Sequence, residues 1–150
     1  MNSFVLPVLW AALSSLGFSM MFGLRSKKLL YVAIGGAITW LSYLVSMKIG
    51  VNEVMAYAVA AGLGTVFSEI MARAIKTPVT AFVIPVNIPL VPGASLYYSL
   101  LAMWQKDFDT FLDKGKYTAA VACAMALGIL VSTMLFRLIK TGLDKRRARA

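Results

Sequence analysis

Charged residues divide this chain into five long stretches that contain none of them. These cover residues 1–24, 29–47, 54–68, 77–105 and 117–136, with lengths of 24, 19, 15, 29 and 20 residues. A helix needs about 20 apolar residues to cross a bilayer core about 30 Å thick. Four stretches suffice as they stand, and the third does so once it is extended from Glu53 through Glu69 to Ala72. Of the 150 residues, 60% are hydrophobic and 14% charged, whereas a soluble domain carries about 25% charged residues. One small core cannot hide that apolar excess. The reading is an all-α membrane protein of about five transmembrane helices in one integral-membrane domain over 1–150. Its spans fall at about 4–24, 29–47, 53–72, 77–105 and 117–139, followed by a basic tail at 140–150. The first stretch has no basic residue before Phe4 and stays apolar to Leu24, so it reads as a retained helix rather than a signal peptide.

Composition also removes most chemistry. There is no His, and Cys123 is the single cysteine, inside an apolar run. Haem ligation, zinc sites, a Ser-His-Asp triad and a disulfide framework all lack their residues. No enzyme, metal or cofactor is expected. The net charge of +9 does not point to nucleic acid, because the cations sit in short clusters between apolar runs, where membrane topology puts them. With five spans, Arg25, Lys27, Lys28, Arg73, Lys76, Arg137, Lys140, Lys145, Arg146, Arg147 and Arg149 share one side. Lys48, Lys106, Lys114 and Lys116 take the other, a split of 11 to 4. The N-terminus is then outside and the C-terminus cytoplasmic. Tyr31, Trp40, Tyr43, Trp104 and Tyr117 fall mostly near span ends, where amphipathic rings anchor. Runs of small residues at 33–37 and 58–64 let helix backbones approach closely.

The fourth stretch is abnormal for a spanning helix. Thr77-Pro78 reads as a helix start, with Thr77 as N-cap. Pro85, Pro89, Pro92 and Gly93 then fall within nine positions. An interior proline removes a backbone hydrogen bond and clashes with the preceding turn, at roughly 3 kcal/mol. A break at 85–93 lies about 10–21 Å along a helix that starts at Pro78, near the bilayer midplane. Non-helical backbone at that depth is tolerated only when buried in protein or lining a cavity, and transporters place substrate at such breaks. The expected substrate-binding residues are Asn87, Pro89, Pro92, Gly93, Ser95 and Tyr97, the amide and hydroxyls supplying polar contacts around a backbone broken at Pro85, Pro89, Pro92 and Gly93.

Glu69 is the acidic residue set deep in the third span. Intramembrane carboxylates often mark proton or ion pathways, and Arg73 at i+4 can pair with it. The two are candidates for coupling or a gate, with a structural ion pair as the alternative. Asp107, Asp109 and Asp113 lack the glycine and terminal glutamate of a calcium loop and read as a solvated external loop. Phe108, Phe111 and Leu112 would let that loop lie along the membrane surface.

The stretch Ser68-Glu69-Ile70-Met71-Ala72-Arg73-Ala74-Ile75-Lys76-Thr77-Pro78, then Pro85, Ile88-Pro89-Leu90-Val91-Pro92-Gly93 and Tyr97-Tyr98, resembles the threonine/serine exporter family. More narrowly it is similar to the small membrane half that some bacteria encode as a separate chain. The resemblance implies a proton-driven secondary exporter of small hydroxyl amino acids in the bacterial inner membrane. It also implies a separately encoded membrane partner subunit carrying the other half. The N-terminus placed outside by the charge count would let the two halves be related as inverted repeats. Three alternatives stay open: an exporter of small dicarboxylates such as succinate, a non-transporting membrane scaffold or regulatory subunit, and a homo-oligomer.

Overall fold

The structure, a computed structural model, describes the backbone of residues 2–147 and the side chains of residues 4–139. The described residues fold into helices α1 (Asn2–Met21), α2 (Lys27–Lys48), α3 (Glu53–Ala74), α4 (Thr80–Asn87), a 3-10 turn at Ile88–Leu90, α5 (Gly93–Trp104) and α6 (Phe108–Arg147). Among them, four are long and apolar enough to cross a membrane: α1, α2, α3 and the Phe108–Ile139 part of α6. Thr80–Leu90 and Gly93–Trp104 make a fifth span if taken together, bent by 62°. The chain is an all-α, multi-pass membrane protein. The side chains of the basic tail at 140–150 lie outside the described residues.

Four helices close in the same way. After α1, α2, α3 and α5, a residue with left-handed φ reverses the chain: Gly23 (72°), Gly50 (88°), Lys76 (51°) and Lys106 (59°). The next N–H reaches back five residues, from Leu24 to Ser19, Val51 to Ser46, Thr77 to Ala72 and Asp107 to Ala102. This arrangement satisfies carbonyls that a helix end would otherwise orphan. One consequence corrects the sequence reading. Thr77 is consumed in closing α3, its hydroxyl donating to the Ile75 carbonyl, so it does not cap the next helix, whose N-cap is Val79.

A second correction concerns the last span. The segment read as an external loop is helical from Phe108, because Asp107 sits at the start as a cap. Its Oδ1 accepts the Thr110 N–H at 3.1 Å, and its carbonyl accepts the Phe111 N–H at 3.0 Å. Hydrogen bonding from Thr110 also holds the Asp107 carboxyl below the usual aspartate range. The 40 residues of α6 extend about 60 Å at about 1.5 Å per residue, roughly twice the hydrocarbon thickness. The helix therefore continues past the membrane-spanning region.

The bundle is polar and small inside, apolar outside. Its buried residues include Ser15, Ser19, Thr39, Thr65, Ser68, Glu69 and Asn87 beside Ala60, Ala61 and Ala72, while Leu6, Trp10, Leu63, Leu130 and Leu138 are exposed. Lipid is as apolar as leucine, so small side chains and close backbone packing hold membrane helices together. Gly128 shows the point: a Cβ there would collide with the Ala58 carbonyl across the α3–α6 contact. Two clusters stack along the bundle. Leu24, Val32, Ala72, Phe82 and Val86 pack near the α1–α2 and α3–α4 turns. Ala60, Ala61, Leu90, Val121 and Met125 pack further along, with Trp40, Tyr43 and Tyr117 against them.

Candidate functional site

The three prolines of the fourth span do three different things. Pro85 lies inside α4, which corrects its expected place in the break. The bonds on either side of it survive, Val83 N–H to Val79 and Ile88 N–H to Ile84, so the missing N–H leaves one gap in an otherwise closed turn. Pro89 occupies the start of the 3-10 turn, where its missing donor does no harm. Pro92 breaks the helix. A residue before proline is pushed out of the helical region, and Val91 has φ −59° and ψ 124°. Pro92 itself, at φ −76° and ψ 56°, centres a tight inverse γ-turn in which the Gly93 N–H donates to the Val91 carbonyl at 2.7 Å. α5 starts there in a new direction.

Before the break, Asn87 turns inward. It is 4% exposed. Its Nδ2 donates to the Val83 carbonyl at 2.9 Å and to Thr65 Oγ1 on α3 at 3.5 Å. Its Oδ1 is buried and has no hydrogen-bond partner. Gly64 makes room for it, since a Cβ there would lie 3.1 Å from Asn87 Oδ1 and would clash with Thr39 Oγ1 on α2. Thr39 and Thr65 are both buried, their hydroxyls donating to the Gly35 and Ala61 carbonyls. Three helices thus bring an amide and two hydroxyls together around an unused acceptor.

Beyond the break, the 62° bend opens a cavity of about 560 Å³ lined by Glu53, Ser95, Thr110, Asp113, Lys114 and Tyr117. Ser95 comes from the first turn of α5, Glu53 from the start of α3, and the others from the first turns of α6. The Tyr117 hydroxyl donates to Glu53 Oε1 at 2.6 Å, and the Tyr43 hydroxyl reaches the same oxygen at 3.3 Å. Tyr43 itself packs at a tilt against both Tyr57, at 4.6 Å, and Trp40, at 5.3 Å between ring centres.

Toward the other end of α3, Glu69 is buried. Arg73 Nη2 and Nε donate to Glu69 Oε2 at 2.7 and 3.2 Å, and the same guanidinium lies 4.5 Å from the centre of the Phe136 ring. Both residues line a cavity of about 340 Å³ together with Thr80, Thr133 and Arg137.

The sequence-derived residues therefore do not form one cluster. Asn87 belongs to the bundle interior. Pro89 lines a separate groove with Pro7, Trp10, Ala11, Ser14 and Trp40. Gly93 borders open space, Ser95 lines the elbow, and Tyr97 is exposed, edge-on to Tyr98 at 5.4 Å. Glu53, Thr39, Thr65, Lys114 and Tyr117 were missed. Glu53 carried a faint signal, a carboxylate at the edge of an apolar run. Its tyrosine partner 64 positions away carried none. Among the described residues, no group of three or more His, Cys, Asp or Glu could hold a metal ion.

Set beside known families, the chain matches the profile of the threonine/serine exporter family, ThrE, over residues 7–135. The chain belongs to the threonine/serine exporter family. No solved structure matches it. The match to the exporter profile reaches into every span and includes both carboxylates of α3, well beyond the proline motif and its upstream segment. In this exporter the bent fourth span lies against α3, whose two carboxylates, Glu53 and Glu69, are about 24 Å apart along its axis at about 1.5 Å per residue. Asn87 meets α3 between them, at Thr65.

Proposed function

We propose that the chain is the membrane subunit of a two-component secondary exporter that moves serine- and threonine-type amino acids out of a bacterial cell, driven by the proton gradient. The observation that carries this is the break at Val91–Pro92, which turns a spanning helix at an interior amide and opens a polar cavity beyond it. In a bundle whose outer surface is apolar, backbone broken within a span is tolerated where it is buried in protein or lines a cavity, and transporters place substrate at such breaks. The positive end of the α5 dipole meets that path at Ala94 and Ser95, whose first-turn N–H groups suit a carboxylate. Substrate enters near Glu69 and Arg73, passes the Asn87 amide, and leaves through the elbow beside Ser95. Pro89, Pro92, Gly93 and Tyr97 shape the backbone and rim of that path.

The charge distribution supports an orientation with the N-terminus outside and the C-terminus in the cytoplasm, in the inner membrane. A separately encoded membrane partner completes the path as an inverted repeat, consistent with the open space at Gly93. Glu69 and Arg73 form the coupling gate: protonation of Glu69 releases Arg73 and frees the cytoplasmic cavity.

The test is efflux of preloaded labelled serine, threonine and succinate from proteoliposomes under an imposed pH gradient. It is run with this chain alone, and with the membrane protein encoded beside it. The expected result is efflux of the hydroxyl amino acids only with both chains, in proportion to the gradient. Glu69→Gln, which keeps an acceptor for Arg73 but removes the titrating charge, is expected to move substrate independently of the gradient. If no solute moves with both chains present, the exporter reading fails. If Glu69→Gln still follows the gradient, Glu69 and Arg73 are a structural pair.

A further inference from the structure

The elbow cavity carries charges of both signs that do not neutralise each other. Glu53, Asp113 and Lys114 all line it, yet among the described residues no ion pair joins Lys114 to either carboxylate. The ion pair that α3 does form is the distant one between Glu69 and Arg73. Glu53 is also held in place from two sides. The hydroxyls of Tyr117 on α6 and Tyr43 on α2 both fall on its Oε1, which leaves Oε2 as the acceptor for a ligand. Tyr43 in turn packs at a tilt against two further rings, so the carboxylate is preorganised rather than swinging in solvent. Two hydroxyls, Ser95 and Thr110, complete the lining, and the volume of about 560 Å³ falls in the range of small-molecule sites, about 300–1,000 Å³.

We infer that this cavity is a zwitterion station in which Glu53 takes the ammonium of an α-amino acid, Lys114 takes its carboxylate, and the Ser95 and Thr110 hydroxyls meet the side-chain hydroxyl. Separated opposite charges in one cavity match a ligand that carries both. A dicarboxylate would bring its second negative charge against Glu53 and Asp113, and like charges at close range are strongly selected against. Asp113 adds to that rejection from the rim. The station rests on the exporter reading and gives it a selectivity filter on the exit side of the break, built from residues outside the proline motif.

The experiment measures efflux kinetics of the two-chain proteoliposomes for wild type, Glu53→Gln and Lys114→Gln. The readouts are KM for L-serine, and inhibition by ethanolamine, which lacks the carboxylate, and by 3-hydroxypropionate, which lacks the ammonium. Glu53→Gln is expected to raise KM at least tenfold and to lose inhibition by ethanolamine while keeping that by 3-hydroxypropionate. Lys114→Gln is expected to show the reverse pattern. Glutamine can still accept from both tyrosines, and Lys114 is exposed. Melting curves identify any variant that fails to fold, and the other variant then decides. If both variants keep wild-type KM and both inhibition patterns, or lose both inhibitors together, the station is refuted while the exporter reading stands. If wild type moves only succinate, the station fails with the substrate assignment. If wild type moves nothing, the exporter reading has failed first.

Discussion

Asn87 combines three properties. It is buried, its amide nitrogen is satisfied, and its Oδ1 is left without a partner. An unmet buried acceptor costs about 1–3 kcal/mol, whereas a hydrogen bond between membrane helices contributes only about 0.6 kcal/mol. The bond to Thr65, at 3.5 Å, cannot offset the orphaned oxygen. Asn87→Leu, similar in size and without polar atoms, is therefore expected to leave the melting temperature in detergent unchanged or raised while lowering serine efflux at least tenfold. A destabilised variant that transports normally per folded molecule would make Asn87 a packing residue. The sequence offered Asn87 because an amide inside a proline-rich apolar run is conspicuous. Thr39 and Thr65 could not be singled out, since a threonine whose hydroxyl bonds to its own helix looks the same in any span.

Among the elements, the bent fourth span was legible in kind and blurred in detail. Counting prolines located a break but treated Pro85, Pro89 and Pro92 alike. Only at Val91–Pro92 do the restriction on the preceding residue and a γ-turn coincide. Pro92→Ala is expected to restore helical continuity, reduce the 62° bend and close the elbow, whereas Pro85→Ala is expected to change neither. Spin labels at Ile84→Cys and Met103→Cys in a Cys123→Ala background measure this. The interlabel distance should lengthen with Pro92→Ala and stay at its original value with Pro85→Ala. Equal responses would mean that the bend comes from packing rather than from local backbone chemistry. The helix ends follow the same pattern. Gly23 and Gly50 advertise their left-handed closures, whereas Lys76 and Lys106 adopt that conformation without any residue-level sign. Asp107 hid as a loop residue although it caps α6.

At the scale of the whole molecule, the order of spans and the membrane character follow from where charges interrupt apolar runs, because the cost of a charge in hydrocarbon leaves little freedom. The cavity at the bend was less legible. It joins residues far apart in sequence, Glu53 with Tyr117 and Ser95 with Lys114, and hydropathy carries no information about which helix faces which. Polar groups recur along the bundle at Glu69, Asn87 and Glu53, with the apolar cluster of Ala60, Ala61, Leu90, Val121 and Met125 between the last two. Ser95 lines the cavity at the bend, and the most direct measurement places a thiol there. Ser95→Cys in the Cys123→Ala background, placed in proteoliposomes with the membrane protein encoded beside it, should react with a small polar maleimide, and L-serine should slow that reaction in proportion to its occupancy. Succinate should not. Labelling that proceeds at one rate with and without L-serine, in a preparation that exports it, would contradict a substrate path through the elbow.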